Sequence, residues 1–88
     1  EVNAELQMGA VSALADMPER EAGLALRASI AECVEANRGL AIEGLLRSPE
    51  RTALLIEAVA SQVVSLKELD ESRRGRIREA VDRILQGP

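Results

Sequence analysis

The chain has 88 residues, 47% of them hydrophobic, with 15 acidic against 11 basic side chains for a net charge of −4, and it contains no histidine and no aromatic residue. The absences exclude imidazole acid–base catalysis, His-containing zinc or haem ligation, stacking of bases or sugars, and aromatic cages for cations. The acidic balance disfavours non-specific phosphate binding, so no nucleic-acid partner is expected.

Residues 3–17 place Leu6, Ala10, Ala13, Leu14 and Met17 at spacings of three and four, predicting a first helix with one buried stripe and Asn3 as its cap. Pro18 interrupts it and pushes Met17 out of helical geometry. Pro18-Glu19-Arg20-Glu21 suits the first turn of a second helix, because proline lacks an N–H and acids favour the positive end. Its apolar face is Ala22, Ala25, Leu26, Ser29, Ile30 and Cys33, and Ser29 with Glu32 spells a capping box that restarts the helix. Asn37 and Gly39 mark the next break, followed by a third helix over about 38–47 with Ala41, Ile42, Leu45 and Leu46 inward and Gly44 allowing close approach. Ser48-Pro49-Glu50 opens a fourth helix, about 49–64, that is apolar nearly all round. Ser65 and Glu68 form a capping box for a short turn. From Glu71 to Gln86, Ile77, Ala80, Val81, Ile84 and Leu85 trace a last apolar stripe, stopped by Gly87 and Pro88.

The expected fold is therefore all-α, about five helices in a single module spanning residues 1–88. The two Pro-Glu-Arg starts, at Pro18 and Pro49, lie 31 residues apart, as in a helix-pair repeat. That spacing suits antiparallel helix pairs in a HEAT-like right-handed array; an irregular five-helix bundle is the alternative. A chain this short has a thin core. It begins at Glu1 rather than Met and reads as a piece of a longer protein. No apolar run approaches bilayer length and no signal peptide is visible, so direct membrane insertion is not expected.

Reactive constellations are missing. The six glycines are scattered singly rather than forming a phosphate loop. Glu32 with Glu35, and Glu68 with Glu71, have the i, i+3 spacing of ordinary solvated faces rather than of a metal or acid–base pair. Cys33, the single cysteine, lies among Ile30, Ala31 and Val34 and reads as a buried apolar residue. Arg73, Arg74, Arg76 and Arg78 form a basic run, but Glu68, Asp70, Glu71, Glu79 and Asp82 surround it, giving an ion-paired helix surface. No catalytic residue, metal ligand or cofactor is nominated.

One stretch carries a family resemblance. Residues 45–77 place Arg47, Pro49, Glu50, Leu54, Leu55, Val64, Leu69, Arg73 and Arg74 in a pattern that resembles a segment of large bacterial membrane-bound dehydrogenase-type proteins. In that family a HEAT-like helical array precedes a C-terminal c-type haem-binding domain. The chain departs from the pattern after Ile77, where Arg78-Glu79-Ala80-Val81 replaces a His/Asp-containing turn, and it lacks the covalent haem motif. The resemblance thus implies an array segment that docks or spaces neighbouring domains, without haem binding, and a periplasmic or exported location; outside the resemblance a cytoplasmic one is expected.

The expected function is a non-catalytic helical-repeat module for domain packing or protein–protein interaction. The alternative is a small regulatory bundle that self-associates or binds an intracellular protein. The candidate partner surface is Leu54, Leu55, Val59 and Val63 of the fourth helix, flanked by Arg73, Arg74, Arg76 and Arg78.

Overall fold

Capping and turn chemistry divide the chain much as the punctuation predicts. A computed structural model describes residues 3–86. It contains α1 (Ala4–Asp16), α2 (Arg20–Ser29), α3 (Glu35–Leu45), α4 (Pro49–Ala60) and α5 (Glu71–Gln86), with 3₁₀ turns at Ile30–Glu32 and Leu66–Glu68. The described residues contain no strand: the fold is an all-α bundle of five helices. Gly87 and Pro88, expected to stop the last helix, lie outside the described residues. α1 packs on α2 and α3; α2, α3 and α4 pack against one another; α5 lies along α4. α1 and α5 therefore stand at the two ends of the packing order, in a molecule measuring 44 × 28 × 21 Å.

Several starts are held as read. Asn3 Oδ1 accepts from the N–H groups of Glu5 (3.0 Å) and Leu6 (3.1 Å), satisfying two orphan donors of α1. Ser48 Oγ accepts from Arg51 N at 3.2 Å with Pro49 in the first turn of α4. Ser65 Oγ accepts from Lys67 N (3.2 Å) while Glu68 Oε2 accepts from Ser65 N (2.8 Å), closing the expected capping box. Ala41, Ile42, Leu45 and Leu46 all point inward, and Leu26, Ile30 and Val11 complete the centre of the core.

Other expectations are corrected, in each case because a tertiary contact outweighs a local signal. α1 buries Val11 and Ala15, with Leu14 and Gln7 partly covered, whereas Leu6 is 75% exposed and Ala10, Ala13 and Met17 also face outward. The buried face begins on the polar Gln7 because its amide is satisfied on both sides. Gln7 Oε1 accepts from Val34 N (2.8 Å) and Asn37 Nδ2 (2.9 Å), and Gln7 Nε2 donates to Glu32 O (3.0 Å). The same contacts place Asn37 inside α3 rather than at a break. Its Nδ2 also donates to Ala4 O at 3.0 Å, so a poor helix former is retained by bonds to another helix. The real break is the extended pair Cys33–Val34.

α2 starts at Arg20, after Glu19, so Pro18 precedes the helix whereas Pro49 occupies the first turn of α4. The two Pro-Glu-Arg motifs thus sit in different registers. Ala25 is exposed, and the Ser29–Glu32 capping box does not form: Ser29 Oγ donates back to Leu26 O at 2.8 Å. α4 ends four residues early, at Ala60. Gln62, with φ 66°, takes the left-handed position after the cap, and the N–H groups of Gln62 and Val63 reach Val59 O (3.0 Å) and Ala58 O (2.9 Å). That pairing is a Schellman stop, which frees Val64 to turn inward, fully buried. Finally, α5 buries only Ala80 completely; Ile77 and Val81 are half-buried, Ile84 is 49% exposed and Leu85 79%.

Candidate interaction surface

The eight residues nominated from the sequence do not form one surface. Leu55 is fully buried in the core and presents nothing to a partner, because its side of α4 faces α2 and α3. Leu54 and Val59 are five residues apart, on opposite flanks of the helix. Leu54 lines a groove toward α2 with Leu24 and Pro18, Val59 lines one toward α5, and Val63 packs half-buried against the core.

The arginines divide in the same way. Arg73 Nε donates to Glu43 Oε2 at 2.9 Å and Arg76 donates to Glu43 Oε1 at 2.6 Å, clamping α5 to α3. Arg73 also donates to Glu68 O at 3.1 Å. Arg38 of α3 completes the clamp: it forks onto Glu68 at 2.6 and 3.1 Å and donates to Ile30 O (3.0 Å) and Val63 O (2.7 Å). These bonds hold the Glu43 and Glu68 carboxyls below the usual glutamate range, Arg76 acting most strongly on the first and Arg38 on the second. Arg74 and Arg78 are different. Both are exposed, and among the described residues no carboxylate lies within ion-pair distance of either. Arg74 donates to Leu66 O at 2.8 Å.

Sequence reasoning missed Arg51, which is the buried polar centre of the fold. Its guanidinium enters the junction of α1, α2 and α4 and donates to the carbonyls of Leu14 (3.1 Å), Ala15 (3.2 Å), Met17 and Glu19 (3.3 Å). It therefore satisfies the orphan carbonyls at the negative end of α1, aided by Arg47, which reaches Ala15 O at 2.8 Å and Asp16 at 2.6 Å. Gly23 makes room: a Cβ there would sit 3.2 Å from Arg51 Nε. The available signal was the pairing of an arginine one turn into α4 with a helix end that lacks its own basic residue.

What remains open is an apolar groove between α4 and α5, roofed at one end by the Leu66–Glu68 turn. Ile56, Val59, Ala60, Leu66, Leu69 and Ile77 line it, and Arg74 is its one charged wall. Its volume is about 300 Å³, and Leu66 at its rim is 59% exposed. Along α5, Arg74, Ile77, Val81 and Leu85 follow at spacings of three, four and four, so the groove continues as an apolar line to the end of the helix. This arrangement suits helix-on-surface packing, which needs apolar area and a fixing charge.

Burial pushes the Cys33 thiol up, away from the thiolate a nucleophile requires. No three acidic or cysteine side chains converge as a metal site among the described residues, and no described helix is long and apolar enough to cross a membrane. Compared with protein-family models, with curated proteins and with solved structures, the chain matches none.

Proposed function

We propose that this chain is a non-catalytic helical packing module, a HEAT-like unit of a larger bacterial protein whose end faces engage neighbouring helices or a protein partner. One observation carries the reading. α5 leaves Ile84 and Leu85 exposed and Ile77 and Val81 only half-covered beside an apolar groove, although the core behind it is already closed by Leu55, Ala58 and Leu69. In a stacked helical array, the terminal pair of one unit is covered by the next, and such a face is what the covering needs. The position of α1 and α5 at opposite ends of the packing order supports the same reading. The likeness of residues 45–77 to the array segment of membrane-bound dehydrogenase-type proteins is part of the proposal, as is the periplasmic or exported location it implies.

Hydrogen exchange tests it. When the chain is expressed together with the sequences flanking it in its gene, the amides of Val81–Gln86 and the Leu66 turn should gain protection, relative to the isolated chain as a dilute monomer. Unchanged exchange in both segments would overturn the proposal.

A further inference from the structure

The correction to α1 bears on what occupies the α4–α5 groove. The apolar line read as buried, Leu6, Ala10, Ala13 and Met17, is the outer face of the helix at one end of the molecule. At the other end lie the groove and its continuation along α5. The two faces are similar in length and opposite in charge. α1 has 13 residues and α5 has 16, about 20 and 24 Å of helix. α1 carries Glu5 and Asp16, the latter already paired with Arg47, and no basic residue, and residues 1–36 as a whole hold seven carboxylates against two arginines. α5 carries five arginines against Glu71, Glu79 and Asp82. Of those five, Arg74 lines the groove and Arg78 lies one turn further along α5, neither with a carboxylate partner among the described residues.

We infer that the outer face of α1 in one copy of this chain docks on the α4–α5 groove of a second copy, head to tail. Leu6 and Met17 supply the large apolar contacts, Ala10 and Ala13 let the backbone come close to Val81 and Leu85, and Glu5 faces Arg74 or Arg78. Because the two surfaces differ, a head-to-tail pair keeps one free face of each kind, one on each copy, and association continues past the dimer. The inference rests on the packing-module reading: in the isolated chain, α1 of a second copy takes the place on α5 that a neighbouring unit takes in the longer protein.

Sedimentation equilibrium from about 10 μM to about 1 mM, the range of a modest helix interface, tests it. The average mass should rise beyond a dimer with concentration and fall when salt increases from about 0.05 M to about 0.5 M. Leu6→Lys and Leu85→Glu alter exposed positions, so circular dichroism should show unchanged helix content and midpoint. Each variant alone should remain monomeric, and an equal mixture should give a one-to-one pair and nothing larger. Arg78→Glu, another exposed site, should weaken association in the same way. A monomeric wild-type chain throughout, self-association of either Leu variant, or a mixture that stays monomeric would overturn the inference. If the wild-type chain is monomeric but its α5 amides are still protected by flanking sequence, self-docking fails and the packing module stands; failure of both removes both.

Discussion

At the scale of single residues, Gly44 and Gly9 show how the same change takes opposite signs in two settings. A Cβ at Gly44 would meet Leu26 Cδ2 at 2.8 Å and Ala15 Cβ at 3.0 Å, where α1, α2 and α3 converge. Overpacking of this kind costs about 1–3 kcal/mol, against roughly 1 kcal/mol of helix propensity gained, so Gly44→Ala should lower stability in urea unfolding. Gly9 has nothing within 4 Å of its would-be Cβ, and Gly9→Ala should raise stability by about 1 kcal/mol. Gln62 is a second such site. It holds φ 66° as the left-handed stop of α4, a conformation that costs an L-residue about 1 kcal/mol, and Gln62→Gly should recover about that amount in the same measurement.

Elements are joined here by arginines more than by loops. Arg51 satisfies the end of α1 and Arg38 satisfies Ile30 O and Val63 O, each guanidinium serving several carbonyls that a helix end or turn leaves unpaired. An ammonium is a compact donor and lacks the fork that spans four carbonyls. Arg51→Lys should therefore cost at least about 2 kcal/mol, close to the loss for Arg51→Met, in thermal unfolding. The clamp on α5 has a pH signature. Glu43 and Glu68 have folded pKa values below the unfolded value, so their contribution is complete above about pH 4.3 and is lost as pH falls through the folded values. Glu43→Gln and Glu68→Gln chains should be less stable at neutral pH and show a shallower decline of thermal midpoint on acidification. Equal slopes for wild type and variants would show that the two carboxylates do not set the acid limb.

The whole molecule is a short series of packed helices with a single core and two dissimilar ends. Leu55 lies at the centre of that series, fully enclosed, so Leu55→Asp buries an unpaired carboxyl and should abolish the cooperative unfolding transition. Leu85→Glu, by contrast, alters the surface and should change association while leaving stability within about 0.5 kcal/mol.

Helix number, most helix starts and the span of α5 were legible from residues alone, because caps, prolines and the 3.6-residue period act within a few neighbours of the chain. Asn3, Ser48 and Ser65 sit where such local chemistry places them. Which face of a helix is buried was not local. The Leu6–Ala10–Ala13 line looked like the inward side of α1, yet the amide of Gln7 found partners on the Cys33–Val34 break and α3, and the helix turned with it. Asn37 stayed helical for the same reason, and Arg51 became a core residue because α1 ended beside it with unpaired carbonyls. Buried polar groups take their partners from distant parts of the chain, so only the assembled tertiary structure decided which apolar faces closed the core and which were left for a neighbour.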